Sequence, residues 1–225
     1  MIFSELATNS FFSSFESKKI AKRKTLLFMN EIPRNGFLLL SGAVRVYSVD
    51  TNGFERTVSY ISNGDLLPGA YLLGLSKHVL HFYESVTPLE VLEFKISDFR
   101  EELESNPELV LSLLRVYSLG YFGSLVQIEA LVQHRAQEKV LKLLRYLMIR
   151  FGKEVDNSWV SINIPLTQND IADMIGITRE TVAVELGRMK SKGIIDYGSF
   201  TYRVNREILS DVVNADLWES FRHSD

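Results

Sequence analysis

The sequence contains no cysteine among its 225 residues. This absence excludes disulfide bonds, thiolate zinc sites, cysteine-ligated iron–sulfur clusters and any thiol redox switch within the chain. The first residues also lack the basic start and apolar core of a secretory signal. No run approaches the roughly 18 apolar residues that cross a bilayer. The chain is therefore expected to be cytoplasmic and to have no membrane partner.

Net charge is small, but it is unevenly distributed. The formal net charge is -3 and the pI about 5.9, which alone does not indicate a nucleic-acid binder. Residues 90–108 hold seven acids and two bases, whereas residues 179–206 hold six bases and three acids. The C-terminal segment therefore has a local positive excess of the kind that phosphates attract.

A stretch near the C-terminus has the pattern of two short helices around a tight turn. Thr167 and Asp170 can form a capping box at the first helix, and Gly176 can end it in the left-handed conformation. Thr178 can cap the second helix. The buried stripe of that helix is predicted at Val182, Leu186 and Met189. This pattern predicts a helix-turn-helix, whose second helix meets base edges in DNA.

The N-terminal half alternates short β-branched and aromatic runs with turn residues, which predicts a small β-sandwich or barrel. The predicted strands span residues 25–29, 37–40, 43–49, 55–61 and 90–94. Asn52-Gly53 between two of them predicts a type I′ hairpin turn. Residues 1–24 are predicted to form a short helical cap. Its basic cluster, residues 18–24, is interpreted as a solvated helix face, with a patch that meets DNA or polymerase as the alternative.

Residues 98–133 predict a long helix, with Asp98 as a cap and a restart at Asn106-Pro107. Apolar residues then recur in heptad steps, and a second apolar face runs beside them. A helix that is apolar on two sides must bury both. It is therefore predicted to cover the β-rich domain and to pair with a second copy of itself. The predicted dimer seam contains Val110, Leu114, Tyr117, Tyr121, Ser124, Ile128 and Leu131.

The remaining C-terminal pattern predicts a compact helix and strand domain. The expected elements are a hinge at 133–137, a helix at 139–149, a polar loop at 152–158, a strand at 159–164, a β-hairpin wing at 194–204 and a helical tail at 208–221. The wing would lie beside the helix-turn-helix, since both are close in the chain.

Several stretches resemble the CRP/FNR superfamily of transcription factors. Residues 166–172 and 176–182, the latter with Thr-Arg-Glu-Thr-Val, resemble its winged helix-turn-helix. Residues 37–47 and the turn at 62–65 resemble its cyclic-nucleotide-binding β-roll. The resemblance implies an α+β chain of two domains. Residues 1–133 would form an effector-sensing β-roll, double-stranded β-helix or jelly-roll-like, with a dimerisation helix at about 107–133. Residues 134–225 would form the winged helix-turn-helix domain.

The resemblance also implies which side chains meet DNA. Arg179 and Glu180 match the base-reading pair, able to contact guanine and cytosine. Val184 stands where the family usually has a second arginine, so the usual guanine preference is not expected there, and Ala183 completes the predicted base-reading set. Phosphate contacts are predicted at Thr167, Gln168, Thr178, Thr181, Arg188, Lys190, Lys192 and Arg203. A dimer would read a palindrome with half-sites about 10 base pairs apart.

The predicted ligand cassette departs from the family pattern. Cyclic-nucleotide binders carry a Gly-Glu pair and then an Arg-Ser or Arg-Thr pair, whereas residues 67–85 contain no arginine. Because a buried phosphate needs a fixed cationic partner, cyclic AMP is not expected to bind in the usual way. An apolar or aromatic effector, or constitutive activity, is predicted instead. The predicted pocket contains Leu67, Tyr71, Leu72, Leu73, Phe82, Tyr83, Tyr117, Tyr121 and Ser124, with plain core filling as the alternative.

No cofactor is predicted, and haem is the alternative. His78 and His81 form a His-x-x-His, and some superfamily members bind haem through histidine. On a strand, however, the two imidazoles would face opposite sides. No nucleophile with its base, metal cluster or phosphate loop emerges, so an enzyme is not expected. The sequence predicts an effector-gated homodimeric transcription regulator whose partners are double-stranded DNA and RNA polymerase.

Overall fold

The structure is a computed structural model that describes residues 6–156, 158–198 and 201–206, apart from the side chains of residues 119 and 149. The chain divides into two compact units, Met1–Leu119 and Gly120–Asp225. The sequence placed the division at 133/134. It lies earlier because the second half of the long helix packs within the C-terminal unit, where a Cβ on Gly123 would lie 2.7 Å from the Tyr146 ring.

Two four-stranded antiparallel sheets form the N-terminal unit. The first has the order β1 (Ser17–Ile20), β8 (Leu89–Lys95), β3 (Asn35–Ser41) and β6 (Leu66–Leu67). The second has the order β2 (Thr25–Leu27), β7 (Phe82–Ser85), β4 (Val44–Val49) and β5 (Glu55–Ile61). This arrangement confirms the predicted β-roll.

Side chains alternate across the first sheet and so supply two separate cores. Leu39 and Val91 face the second sheet and pack with Leu27 and Val46 of that sheet. Leu38 and Leu92, their neighbours, face helices on the other side. These helices are α1 (Ser10–Ser13), α2 (Gly69–Leu72), α3 (Ile96–Ser105) and the first half of α4 (Pro107–Val132). The unit is therefore layered as sheet, sheet and helices.

Two predictions for the N-terminal unit need correction. Within the described part of residues 1–24, residues 6–8 and 10–13 are helical as predicted, but residues 17–20 form a strand, which pairs with residues 89–92 of β8. The hairpin at Asn52-Gly53 is not type I′, because only the glycine has positive φ, at 84°. Instead, Asp50 Oδ1 accepts hydrogen bonds from the backbone N–H groups of Asn52 and Phe54, so a side chain closes this turn.

The long helical segment breaks where its proline predicts. Asn106 separates α3 from α4, and its Oδ1 accepts a hydrogen bond from Leu109 N at 3.0 Å. Asp98 is not the cap of α3, because the helix begins at Ile96 and Asp98 lies in its first turn. By length and composition alone, α4 could cross a bilayer, which the sequence did not predict. Its first half instead buries Leu109 and Leu113 in the β-roll core.

In its described residues, the C-terminal unit contains three further helices and a four-stranded sheet. The helices are α5 (Ala136–Phe151), α6 (Gln168–Ile175) and α7 (Arg179–Ser191). The sheet has the order β11 (Ile195–Gly198), β12 (Thr201–Asn205), β10 (Trp159–Ile162) and β9 (Gly152–Glu154). The predicted hinge is shorter than expected, and β9 replaces part of the predicted loop by pairing with β10. The predicted tail helix lies outside the described residues.

Candidate nucleic-acid interface

The first helix of the predicted helix-turn-helix is α6, and its ends are fixed by side chains. Asp170 N donates to Thr167 Oγ1 at 3.1 Å, and Thr167 N donates to Asp170 Oδ2 at 2.8 Å. These reciprocal bonds are the predicted capping box. Gly176 ends the helix with φ 64° and ψ 46°, the left-handed conformation that glycine adopts at least cost.

The second helix, α7, begins after a three-residue turn, residues 176–178. Thr178 Oγ1 accepts a hydrogen bond from Thr181 N at 3.2 Å, which confirms the predicted cap. The predicted stripe of Val182, Leu186 and Met189 is fully buried. This burial fixes the rotation of α7, so its opposite face is presented outward.

The outward face of α7 carries the predicted base-reading residues. Arg179 and Glu180 are exposed in the first turn, and Val184 follows one turn later with 53% of its surface exposed. Ala183 is half-buried at the side of this face. A cationic donor, a carboxylate acceptor and an apolar contact are therefore available to base edges along one helix face.

The predicted phosphate-binding residues do not all have the same environment. Thr178, Arg188, Lys192 and Arg203 are exposed, while Thr167, Gln168 and Thr181 are half-buried. Lys190 is bound to the wing, since its Nζ lies 2.7 Å from Asp196 Oδ1 and donates to Tyr197 O at 3.1 Å. The hydrogen bond from Lys190 is also the largest cause of the lowered pKa of Asp196. Lys190 therefore anchors the wing, a role that the sequence did not indicate.

The wing is the antiparallel hairpin of β11 and β12, as predicted. Asp196 pairs in register with Arg203, and Tyr197 with Tyr202. The two tyrosine rings stack at 5.7 Å, and Lys190 Nζ lies 4.9 Å from the Tyr197 ring centre. These contacts tie the wing to the C-terminal end of α7.

A cleft of about 300 Å³ lies between the start of α6, the start of α7 and the wing. Its lining contains three predicted DNA contacts, Thr167, Gln168 and Arg179. The sequence missed its other polar members, which are Asn169, Tyr197 and Tyr202. Tyr202 is almost fully buried, and this burial raises its pKa to about 12. The available sequence signal for these tyrosines was the alternation of residues along the wing strands. It does not show that Tyr197 and Tyr202 are neighbours, because that depends on the hairpin register.

Comparison with known proteins identifies the family. A model of the Crp-like helix-turn-helix domain matches residues 138–211, and a model of the cyclic nucleotide-binding domain matches residues 17–106. A global nitrogen regulator of Nostoc sp. is 30% identical over 196 residues, which cover 86% of each chain. The chain belongs to the CRP/FNR superfamily of transcription regulators.

Further similarities agree with this assignment. The cAMP-activated global transcriptional regulator CRP of Pasteurella multocida is 24% identical over 189 residues, or 82% of this chain and 88% of that one. The solved structure of FixK2 from Bradyrhizobium japonicum has the same fold, with a TM-score of 0.70 at 19% identity over 89% of this chain and 98% of that chain. The CRP/FNR chain described here is thus a DNA-binding regulator with a β-roll domain.

In this CRP/FNR chain the predicted effector-pocket residues are divided between the two cores. Leu67 and Tyr83 belong to the core between the sheets, whereas Leu72 belongs to the core under the helices, with Tyr71 packed against it. The short strand β6 causes this division, since Leu66 and Leu67 point to opposite sides of it. Outside the cores, Leu73 is exposed, and Phe82 stacks on Tyr47 at 5.1 Å. These side chains therefore do not share one core, and the effector pocket stays a prediction.

Tyr117 is the pocket candidate with unusual surroundings. Its ring packs on the helix-side core, and a Cβ at Gly69 would lie 2.9 Å from its hydroxyl oxygen. That hydroxyl is buried and has no hydrogen-bond partner within the described residues. Burial is the largest cause of a pKa raised to about 12. Such a group can donate to a polar atom of a bound molecule.

The exposed apolar face of α4 differs slightly from the predicted dimer seam. Leu114, Tyr121, Ser124, Ile128 and Leu131 are exposed as the seam requires. Val110 is half-buried, and Tyr117 turns toward the β-roll core. Tyr117 is thus a wrong seam residue, because the helix buries that flank against β-roll side chains. The exposed face also includes Leu111, Leu125 and Val132.

The two histidines of the haem alternative lie in an irregular loop. His78 is exposed and His81 is half-buried, with its pKa lowered by burial. Across the described residues, no group of three or more His, Cys, Asp or Glu side chains could hold a metal ion. The absence of a cofactor stays a prediction, with haem as its alternative, and a Soret band in the purified protein would contradict it.

Proposed function

We propose that this CRP/FNR regulator is a homodimer that reads a two-fold symmetric DNA site and responds to a small apolar molecule. The observation that carries the proposal is the presentation of Arg179, Glu180 and Val184 on α7. Their helix is capped at its start and fully buried along the opposite face. A helix that is fixed in this way presents the three side chains in one orientation, so they can distinguish base edges rather than only bind phosphate.

The three side chains differ in the base they favour. Arg179 can donate two hydrogen bonds to guanine O6 and N7, and Glu180 can accept from cytosine N4. Val184 cannot donate, but its exposed methyl groups can pack on the thymine methyl. We therefore propose that the operator differs at one base pair, the one that Val184 contacts, from a site that is read by two arginines.

Dimerisation is supported by the exposed seam of α4. Leu114, Tyr121 and Ile128 recur in heptad steps and are 60%, 68% and 53% exposed. Large apolar side chains in such a row are energetically unfavourable in water. A second copy packed along α4 would cover them, and two copies of α7 would then meet two half-sites.

The proposed effector site centres on Tyr117 and is not a cyclic-nucleotide phosphate site. Residues 67–85 contain no arginine. Arg100 is nearby, but its guanidinium donates to Leu72 O at 3.1 Å and to Tyr71 O at 2.5 Å. The unpartnered hydroxyl of Tyr117 would give an apolar effector one polar contact. Isothermal calorimetry with cyclic AMP is expected to give no micromolar binding, and such binding would contradict this part of the proposal.

Gel shifts with a duplex that the wild type selects from a random library test the DNA-reading proposal. Arg179→Ala is expected to weaken binding to that duplex about tenfold or more, since one bidentate base contact contributes about 1–3 kcal/mol. Binding to a scrambled duplex is expected to change much less. Lys153→Ala, which removes an exposed base on β9, is the control and is expected to leave both affinities unchanged. An equal loss on both duplexes would contradict base reading by Arg179.

A further inference from the structure

Glu185 is a buried carboxylate on α7, beside the apolar stripe of Val182, Leu186 and Met189. Its side chain is only 8% exposed, and Arg188 Nη1 donates to its Oε1 at 2.7 Å. Its Oε2 is buried and has no hydrogen-bond partner within the described residues. A carboxylate that is removed from water and only half satisfied lowers stability relative to an apolar side chain of similar size. Stability alone therefore does not explain this residue.

The position of Glu185 connects it with the DNA-facing part of the helix. From the cap onward, Thr178, Thr181, Glu185 and Arg188 are spaced by three, four and three residues, so they lie along one flank. The flank borders the row of Glu180 and Val184. The Arg188 side chain is 65% exposed, whereas the Glu185 side chain that accepts its hydrogen bond is 8% exposed. Two hydroxyl groups and one guanidinium group thus line the flank, which is the chemistry that binds phosphate.

We propose that Glu185 is a positioning residue that fixes the Arg188 guanidinium for a DNA phosphate. One N–H of the guanidinium binds Glu185, and the 65% exposure of the Arg188 side chain leaves other donors accessible to a phosphate. A long arginine side chain loses much rotamer freedom when it binds phosphate, and the buried carboxylate would remove that freedom beforehand. This inference rests on DNA binding through α7.

The sign of the effect separates positioning from simple electrostatics. A carboxylate near DNA repels phosphate, so its removal would tighten binding if charge were its only role. If Glu185 positions Arg188, its removal weakens binding although the protein becomes less acidic. Positioning also predicts that the Glu185 and Arg188 substitutions are not additive, because both remove the same phosphate contact.

The test uses full-length Glu185→Leu, Arg188→Ala and the double variant on a fluorescent duplex selected by the wild type. Glu185→Leu is expected to melt at or above the wild-type temperature, since leucine replaces a buried charge. Each variant, including the double, is expected to bind about tenfold more weakly, as for loss of one charged hydrogen bond. The slope of log affinity against log salt is expected to fall by about 0.9, one phosphate contact.

Two controls keep the result interpretable. Glu185→Gln retains an oxygen that can accept from Arg188 and is expected to keep most of the affinity. Glu138→Gln removes an exposed acid in the first turn of α5 and is expected to change affinity less than twofold. The proposal is overturned if Glu185→Leu binds as tightly as the wild type or more tightly, or if the double variant loses about a hundredfold. Failure of the wild type to select any duplex would instead contradict DNA reading itself.

Discussion

At the scale of single residues, burial changes the chemistry of two tyrosines. It raises the pKa of Tyr117 on α4 and of Tyr202 in the wing to about 12. Unfolded tyrosine titrates near pH 10, so the unfolded state loses these protons first as pH rises. The folded state therefore binds more protons, and stability falls between about pH 10 and 12. Urea denaturation across this range is expected to show a shallower fall for the Tyr117→Phe/Tyr202→Phe double variant, and an identical fall would contradict the assignment.

Tyr117 also makes a prediction at neutral pH. Its hydroxyl is buried without a partner, so Tyr117→Phe removes a polar group that the fold does not satisfy. The free energy of unfolding is expected to stay unchanged or to rise by about 1 kcal/mol. Tyr121→Phe on the same helix is the control, since that ring is exposed and the change is expected to be near zero. A clear loss of stability in Tyr117→Phe would mean that its hydroxyl stabilises the folded protein.

At the scale of elements, the sequence predicted the helix ends that are determined by residues close together in the chain. The capping box of Thr167 and Asp170 and the glycine end of α6 follow from residues a few positions apart, and both were predicted. Strand β1 was missed because Ser17–Ile20 has little alternation and is stabilised by pairing with β8, far away in sequence. The cleft tyrosines and the anchoring of Lys190 were missed for the same reason, since hairpin register brings them together.

The exposed face of α4 gives the prediction at this scale. Ile128→Glu places a charge in the seam, and two copies would bring two such charges together in an apolar interface. Sedimentation is expected to show a dimer for the wild type and a monomer for the variant. Val155→Glu changes an exposed apolar residue of the polar segment after β9 and is expected to stay dimeric. A monomeric wild type, or a dimeric Ile128→Glu, would contradict the seam.

At the scale of the whole molecule, the separation of acidic and basic segments matches the two domain roles that the family implies, effector sensing and DNA binding. The acidic segment 90–108 belongs to the unit that contains the β-roll, and the basic segment 179–206 contains α7 and the wing. A net charge of -3 conceals this contrast. The family and fold were predictable because the two motif regions occur in a fixed order. The effector was not predictable from the sequence. The predicted pocket residues belong to two different cores, and this division follows from the position of β6.

The most direct test is to sequence the duplexes that the purified protein retains from a random library. A dimer that presents two copies of α7 is expected to enrich an inverted repeat, with half-sites about 10 base pairs apart from centre to centre. Arg179→Ala is expected to lose the preference at one position of each half-site. Retention of duplexes without a shared motif, or of a single unrepeated motif, would contradict a homodimer that reads DNA through α7.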